Sequence, residues 1–177
     1  MKSLTPMAID LDAIDRSGLR RALGRFATGV TVVTTRTARG RLDGLTANSF
    51  SAVSLDPPLV LWSLRRDARS LPSFVGAEHF AISVLAAEQQ EIARLFSAQA
   101  DDRFAIASTQ EGIGGCPLVV GSLAHFECRL ESKVEGGDHL IFIGRVLKAS
   151  HRDGDPLIFA NGRYCGASAL ISRAAAE

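Results

Sequence analysis

Apolar positions along the chain follow two spacings, and the shorter one dominates. Near the N-terminus Leu19, Leu23 and Phe26 fall at helical spacing while Arg16, Arg20, Arg21 and Arg25 take the other face. This predicts a short amphipathic helix over Ile14 to Phe26 that stops at Gly29. Val30 to Arg36 is then dense in Thr and Val, residues that lose little side-chain freedom on a pleated surface, and reads as a buried strand. After a turn at Gly40-Arg41, Leu45 to Val53 reads as a second strand halted at Asp56-Pro57-Pro58. Leu59 to Leu64 and Phe80 to Leu85 are strands three and four, separated by a short helix over Ser70 to Val75. Ile92, Leu95 and Phe96 give a second short helix over Gln89 to Phe96.

The clearest alternation comes late. Ala124, Phe126, Cys128 and Leu130 interleave with His125, Glu127, Arg129 and Glu131, the pattern of a strand with one wet face. Gly136-Gly137 turns the chain back, and His139 to Ala149 is apolar on both faces apart from Arg145 and Lys148, which predicts a strand nearer the middle of its sheet. Pro156 to Tyr164 adds a last short strand, and Ala174 to Glu177 is expected to fray. Strands without regular intervening helices argue against a doubly wound parallel sheet, and the hairpin argues for a mainly β, antiparallel barrel with a few peripheral helices.

Composition narrows the partners. The chain has 177 residues, enough for one domain over 1–177, with 1–13 and 170–177 expected as flexible tails. It is 46% apolar and 22% charged with a net charge of +1, so no electrostatic affinity for nucleic acid or anionic lipid is expected. No apolar run approaches the ~20 residues of a membrane span. Asp10, Asp12 and Asp15 stand where a secretory signal would be apolar, and the default is a cytoplasmic protein. Cys116, Cys128 and Cys165 are odd in number and lack a CxxC spacing, which predicts reduced residues in or near the core.

Familiar cofactor signatures are missing. Gly112-Ile113-Gly114-Gly115 is too short and poorly placed for GxGxxG, and no GxxxxGK[ST] occurs. His79, His125, His139 and His151 show no metal-ligand spacing, so no metal is expected. No GxSxG elbow is found, although a serine nucleophile does not depend on that motif.

Three polar clusters remain. Thr46, Asn48, Ser49 and Ser51 interrupt an otherwise apolar segment and could line a polar ligand, but composition by itself favours an exposed strand face. Ser63, Arg65, Arg66, Asp67, Arg69 and Ser70 follow an apolar strand and lead into a helix, where arginines and backbone amides could hold a phosphate; a solvated basic turn fits equally well. Gly136-Gly137-Asp138-His139 places a histidine at a strand start, where it could meet a cofactor, yet an ordinary hairpin turn is the stronger reading of the residues alone. Arg163 and Tyr164 could line a pocket, but read mostly as barrel closure.

Taken in order, Phe26-Ala27-Thr28-Gly29-Val30-Thr31-Val32-Val33-Thr34, Gly44-Leu45-Thr46-Ala47-Asn48-Ser49-Phe50, Ser54-Leu55-Asp56-Pro57-Pro58-Leu59-Val60 and Gly136-Gly137-Asp138-His139 resemble the flavin reductase-like family, whose members include the small reductase components of two-component flavin monooxygenases. The similarity runs from about Leu19 to Tyr164. It implies an FMN-binding split barrel, a homodimer, and hydride transfer from NADH or NADPH to FMN or FAD, with reduced flavin passed to a partner monooxygenase. It implies that Thr46, Ala47, Asn48 and Ser49 lie along the flavin, that Ser63, Arg66 and Ser70 reach its ribityl and phosphate end, and that Ser97 and Arg103 are further contacts. It places His139 near the flavin face used by nicotinamide, as the candidate catalytic side chain, and Tyr164 is the other candidate for nicotinamide contact. Arg65, Arg66, Asp67 and Arg69 are this sequence's own mix in the phosphate loop. Two other functions stay open: an oxidoreductase that keeps FMN tightly bound and acts on another substrate, and a flavin-binding electron carrier without catalysis.

Overall fold

The computed structural model describes residues 16–98 and 102–166. The expected tails at 1–13 and 170–177, and the part of the first helix before Arg16, lie outside them.

Seven strands form one antiparallel sheet in the order β3-β2-β6-β9-β10-β5-β4. They are β2 (Thr31–Arg36), β3 (Leu42–Ala47), β4 (Ser51–Leu55), β5 (Pro58–Arg65), β6 (His79–Val84), β9 (Ala124–Gly136) and β10 (His139–His151). The segment expected as one strand from Leu45 to Val53 is thus two, broken at Asn48-Ser49-Phe50, and its halves occupy opposite edges of the sheet. That placement forces curvature. Ala47 and Ser51 are four residues apart and can be separated by no more than ~14 Å. A flat seven-stranded sheet would hold its edges ~29 Å apart. The sheet therefore curls until its edges approach, which is the barrel expected from the hairpin pattern.

Inside the curl, one cluster joins Val33, Trp62, Phe80, Ile82, Cys128 and Phe142, drawn from five strands, with Phe74 of α2 (Leu71–Val75). Trp62 stacks on Phe142 at 4.6 Å between ring centres and meets Phe74 edge-on at 4.9 Å. Gly144 makes this possible: a Cβ there would overlap the Phe80 ring, and the β9–β10 register shifts beside it. As its two-sided apolar pattern predicts, β10 lies between β9 and β5.

Within the described residues the first helix, α1 at Arg16–Leu23, ends three residues before the expected Phe26, and the apolar stripe is not packed: Leu19, Leu23 and, beyond the helix, Phe26 are 42%, 64% and 77% exposed. Thr28–Gly29 forms β1, in a second sheet with β11 (Leu157–Ala160) and β12 (Arg163–Gly166). The expected strand over Pro156 to Tyr164 is therefore a hairpin, turned at Asn161-Gly162, where both residues take positive φ (51° and 75°) as a two-residue turn of this hand requires. The helix expected over Gln89 to Phe96 is present as α3 (Gln90–Ser97), followed by α4 (Arg103–Ile106).

The wet face expected along β9 is wet only in its second half. His125 and Glu127 are buried beneath the hairpin β7–β8 (Thr109–Glu111, Pro117–Val119), which the alternation did not reveal. Both have partners. His125 Nδ1 lies 3.1 Å from the Ser83 hydroxyl, whose oxygen accepts the Val119 N–H, while Glu127 accepts the Ile113 N–H at 2.6 Å and faces Lys148 at 3.4 Å. Burial pushes the His125 pKa down, with Glu127 opposing in part. Burial likewise raises Cys116 to about 11 and Cys128 to about 12, which keeps both free thiols protonated and inert.

Candidate functional site

Two adjoining cavities open on the outside of the barrel where β3, α3 and α4 meet. The larger, about 570 Å³, is lined by Arg41, Arg65, Arg69 and Arg103 against Asp43 and Asp67, with Ser70 and Ser97. The smaller, about 120 Å³, is lined by Val30, Thr46, Asn48, Phe159 and Tyr164, again with Ser97. Ser97 lines both, which places the two side by side.

Local chemistry fixes its walls. Gly44 has no side chain, and a Cβ there would lie 3.1 Å from each of the Phe96 and Phe104 rings and from Thr34. Glycine therefore lets α3 and α4 press onto β3. The hydroxyls of Thr46 and Ser97 both donate to the Ala93 carbonyl, at 2.7 and 2.8 Å, and Arg103 donates to the Gly44 carbonyl at 2.5 Å. Ser49 substitutes for a strand residue at the break between β3 and β4, accepting the Ser63 N–H at 2.9 Å and donating to the Ser63 carbonyl at 3.1 Å. The groove floor is thereby pinned without using the side chain of Asn48, which is exposed.

Charge is unevenly spent. Arg65 pairs with Asp67 at 2.6 Å, and Arg41 pairs with Asp43 at 3.1 Å while donating to Ser73 at 2.7 Å. Arg69 has no ion-pair partner among the described residues. Arginines are the residues that match the geometry of a phosphate, and Arg69 stands in this lining beside Ser70.

The expected site residues are distributed as follows. Thr46, Asn48, Ser97 and Tyr164 come together in the small cavity, and Ser70, Ser97 and Arg103 in the large one. Ala47 turns its side chain into the barrel core, leaving only its backbone to the groove side, and its carbonyl already accepts the Thr31 hydroxyl at 2.8 Å. Ser49 and Ser63 brace the wall just described. Arg66 is directed to the β9–β10 turn, donating through Nε to the Gly137 carbonyl at 3.0 Å and pairing with Glu135. His139 faces Arg65 in the β10–β5 register, and its Nδ1 lies 2.7 Å from Asp138 Oδ1, which holds the Asp138 carboxyl below its usual range. His139 lines neither cavity but stands one strand pair from Arg65, which does. Sequence reasoning passed over Arg41 and Asp43, and it named Arg69 within the basic turn without carrying it into the flavin contacts. The alternation of Arg41, Asp43 and Leu45, beginning one residue before β3, was the available signal for the first two.

Among the described residues no cluster of three metal-ligating side chains occurs, and no helix is long and apolar enough to cross a membrane. The curled antiparallel sheet thus carries a cleft region lined by arginines at one end and by Phe159 and Tyr164 at the other. Comparison with known proteins gives that architecture a family. The flavin reductase like domain matches residues 23–168. The chain is 48% identical over 147 residues to the NADH-dependent FMN reductase SmoA of Agrobacterium fabrum, covering 82% of each protein. It is 41% identical to HsaB, the reductase subunit of a flavin-dependent monooxygenase from Rhodococcus jostii, covering 90% of this chain and 82% of that one. Among solved structures, the NADH:FAD oxidoreductase SgcE6 of Streptomyces globisporus, in complex with NAD and FAD fragments, superimposes with a TM-score of 0.84 at 40% identity, covering 90% of this chain and 95% of that one. The chain spans 49% and 44% of two longer curated relatives that it also matches. It belongs to the flavin reductase-like family.

Proposed function

We propose that the chain is an NADH- or NADPH-dependent flavin reductase that reduces FMN or FAD and passes the reduced flavin to a separate monooxygenase. The observation that carries this is the pair of adjoining cavities that share Ser97, with Arg69, which has no ion-pair partner among the described residues, at one end and an exposed amide, Asn48, beside the Phe159–Tyr164 ring pair at the other. Those ends fit the two ends of a flavin nucleotide. In addition, the buried Thr28 hydroxyl, on the strand paired with Phe159, has no partner among the described residues.

Bound flavin would supply the hydride acceptor; the chain's task is to bind, orient and exclude water. Arg69 and Ser70 hold the phosphate end, assisted by Arg103. Thr46, Asn48 and the backbone at Ala47 orient the ring, and Ser49 and Ser63 keep that wall rigid. Arg66 acts through the β9–β10 turn: by holding Gly137 it fixes where His139 stands. His139 and Tyr164 position the nicotinamide. The exposed apolar residues of α1 together with Leu55, 93% exposed on the edge strand β4, support a homodimer that covers them. Free, inert thiols agree with a cytoplasmic protein.

Rapid-mixing kinetics of the His139→Ala variant test the assignment. Flavin reduction slows while flavin affinity stays within about twofold, a separation of transition-state from ground-state effects; an unchanged reduction rate removes His139 from the mechanism. Titration with flavin tests the class. Weak, reversible binding with turnover of added free flavin supports a reductase that feeds a partner, whereas one flavin retained through purification and no turnover of added flavin contradicts it.

A further inference from the structure

Beyond the phosphate end, the groove does not stop. A second depression of about 580 Å³, lined by Thr37, Ala38, Arg39, Pro72, Ser73 and Gly76, adjoins it, and Arg41 lines both. Arg41 is well placed to join them. Its Nη2 is engaged by Asp43 and Ser73, and Asp43 Oδ2 also accepts the Ser73 hydroxyl at 2.7 Å, so the guanidinium is braced from behind. Its Nε and Nη1 have no partner among the described residues, and the side chain is 67% exposed.

We propose that this site prefers the dinucleotide flavin, FAD, over FMN, with Arg41 holding the second phosphate and the depression between the β2–β3 turn and α2 receiving the adenosine. The inference rests on the reductase reading and adds to it a choice of flavin. A phosphate monoester at Arg69 and Ser70 leaves Arg41 and the whole second depression unused. A pyrophosphate spans two cations, and Arg69 and the braced Arg41 both line this cavity. The depression's lining also has the chemistry that receives a purine: Pro72, Ala38 and Gly76 are apolar or without a side chain, and Arg39 is a guanidinium of the kind that stacks on bases. Asp43 and Ser73 are positioning residues here, acting only through Arg41.

Calorimetric titration of the intact protein with FAD, FMN and riboflavin decides the matter. The wild type binds FAD at least about tenfold more tightly than FMN. In Arg41→Ala the ratio collapses to within about twofold, and Arg41→Lys, which keeps the charge but loses the fork, recovers part of it. Equal affinity of the wild type for FAD and FMN overturns the proposal without requiring any variant to fold. So does an Arg41→Ala variant that keeps the FAD preference but raises the KM for NADH with FMN as acceptor, because the depression would then serve the adenosine of the nicotinamide dinucleotide. A wild type that binds none of the three flavins is a different outcome: it removes the reductase reading, and the flavin preference with it.

Discussion

The barrel interior and the groove on its outer wall are built on opposite terms. Inside, Trp62, Phe74, Phe80 and Phe142 fill the space with ring contacts between 4.6 and 6.3 Å, and Trp62 Nε1 is buried without a partner among the described residues, a polar cost carried by apolar packing. Outside, the groove is held by short polar bonds from side chains to neighbouring backbone, and it keeps donors in reserve on Arg69 and Asn48. The core thus supplies stability that the groove does not need to supply, and the groove can leave positive charge unneutralised for a ligand to meet.

The largest way to break this contrast is Trp62→Ala. Removing the central ring should cost ~3–5 kcal/mol, read as a lower denaturant midpoint, with flavin affinity lost only as the protein unfolds. Next comes Arg69→Ala, which should weaken flavin binding by about tenfold, the scale of one lost charged hydrogen bond. Its melting temperature should stay that of the wild type, because Arg69 is exposed and makes no ion pair among the described residues. Equal damage to stability and binding by either variant would mean that the two regions are not separable.

A subtler effect sits between the regions, at His125. Its folded pKa lies below the ordinary 6.5, so the unfolded chain binds more protons as the medium is acidified. The stabilisation is complete above that ordinary value and is lost as pH falls toward the folded pKa. The wild-type unfolding midpoint should therefore drop more steeply from about pH 7.5 to about pH 5.5 than that of His125→Asn, which cannot protonate. Parallel pH profiles would contradict the burial argument. The smallest effect belongs to Arg145→Ala: its two bonds to Glu131, at 3.0 and 2.8 Å, lower the Glu131 pKa, but both groups sit in solvent and the melting temperature should hardly move.

The sequence made the core far more legible than the groove, for physical reasons. Strict alternation and β-branched runs mark strands because burial acts on every second residue, and β2, β5, β6, β9 and β10 were readable in this way. What covers a strand is not written in the strand. His125 and Glu127 looked exposed because the hairpin that buries them lies between 109 and 119, a segment with no periodicity of its own. Pairing at a distance was equally silent: nothing local in Leu45 to Val53 says that its halves end on opposite sheet edges. In the site, Thr46, Asn48 and Ser97 were nameable through family motifs, which carry backbone position. Arg66 and Arg69 were indistinguishable by type, and only the fold sends one to the Gly137 carbonyl and the other into the groove.

The central claim is that this groove binds flavin for reduction by a nicotinamide dinucleotide. Anaerobic mixing of the purified protein with NADH or NADPH and added FMN or FAD tests it most directly. The account predicts catalytic oxidation of at least one dinucleotide with matching bleaching of the flavin's visible absorption, and loss of that turnover when free flavin is omitted. Absence of dinucleotide oxidation with every pairing would contradict it.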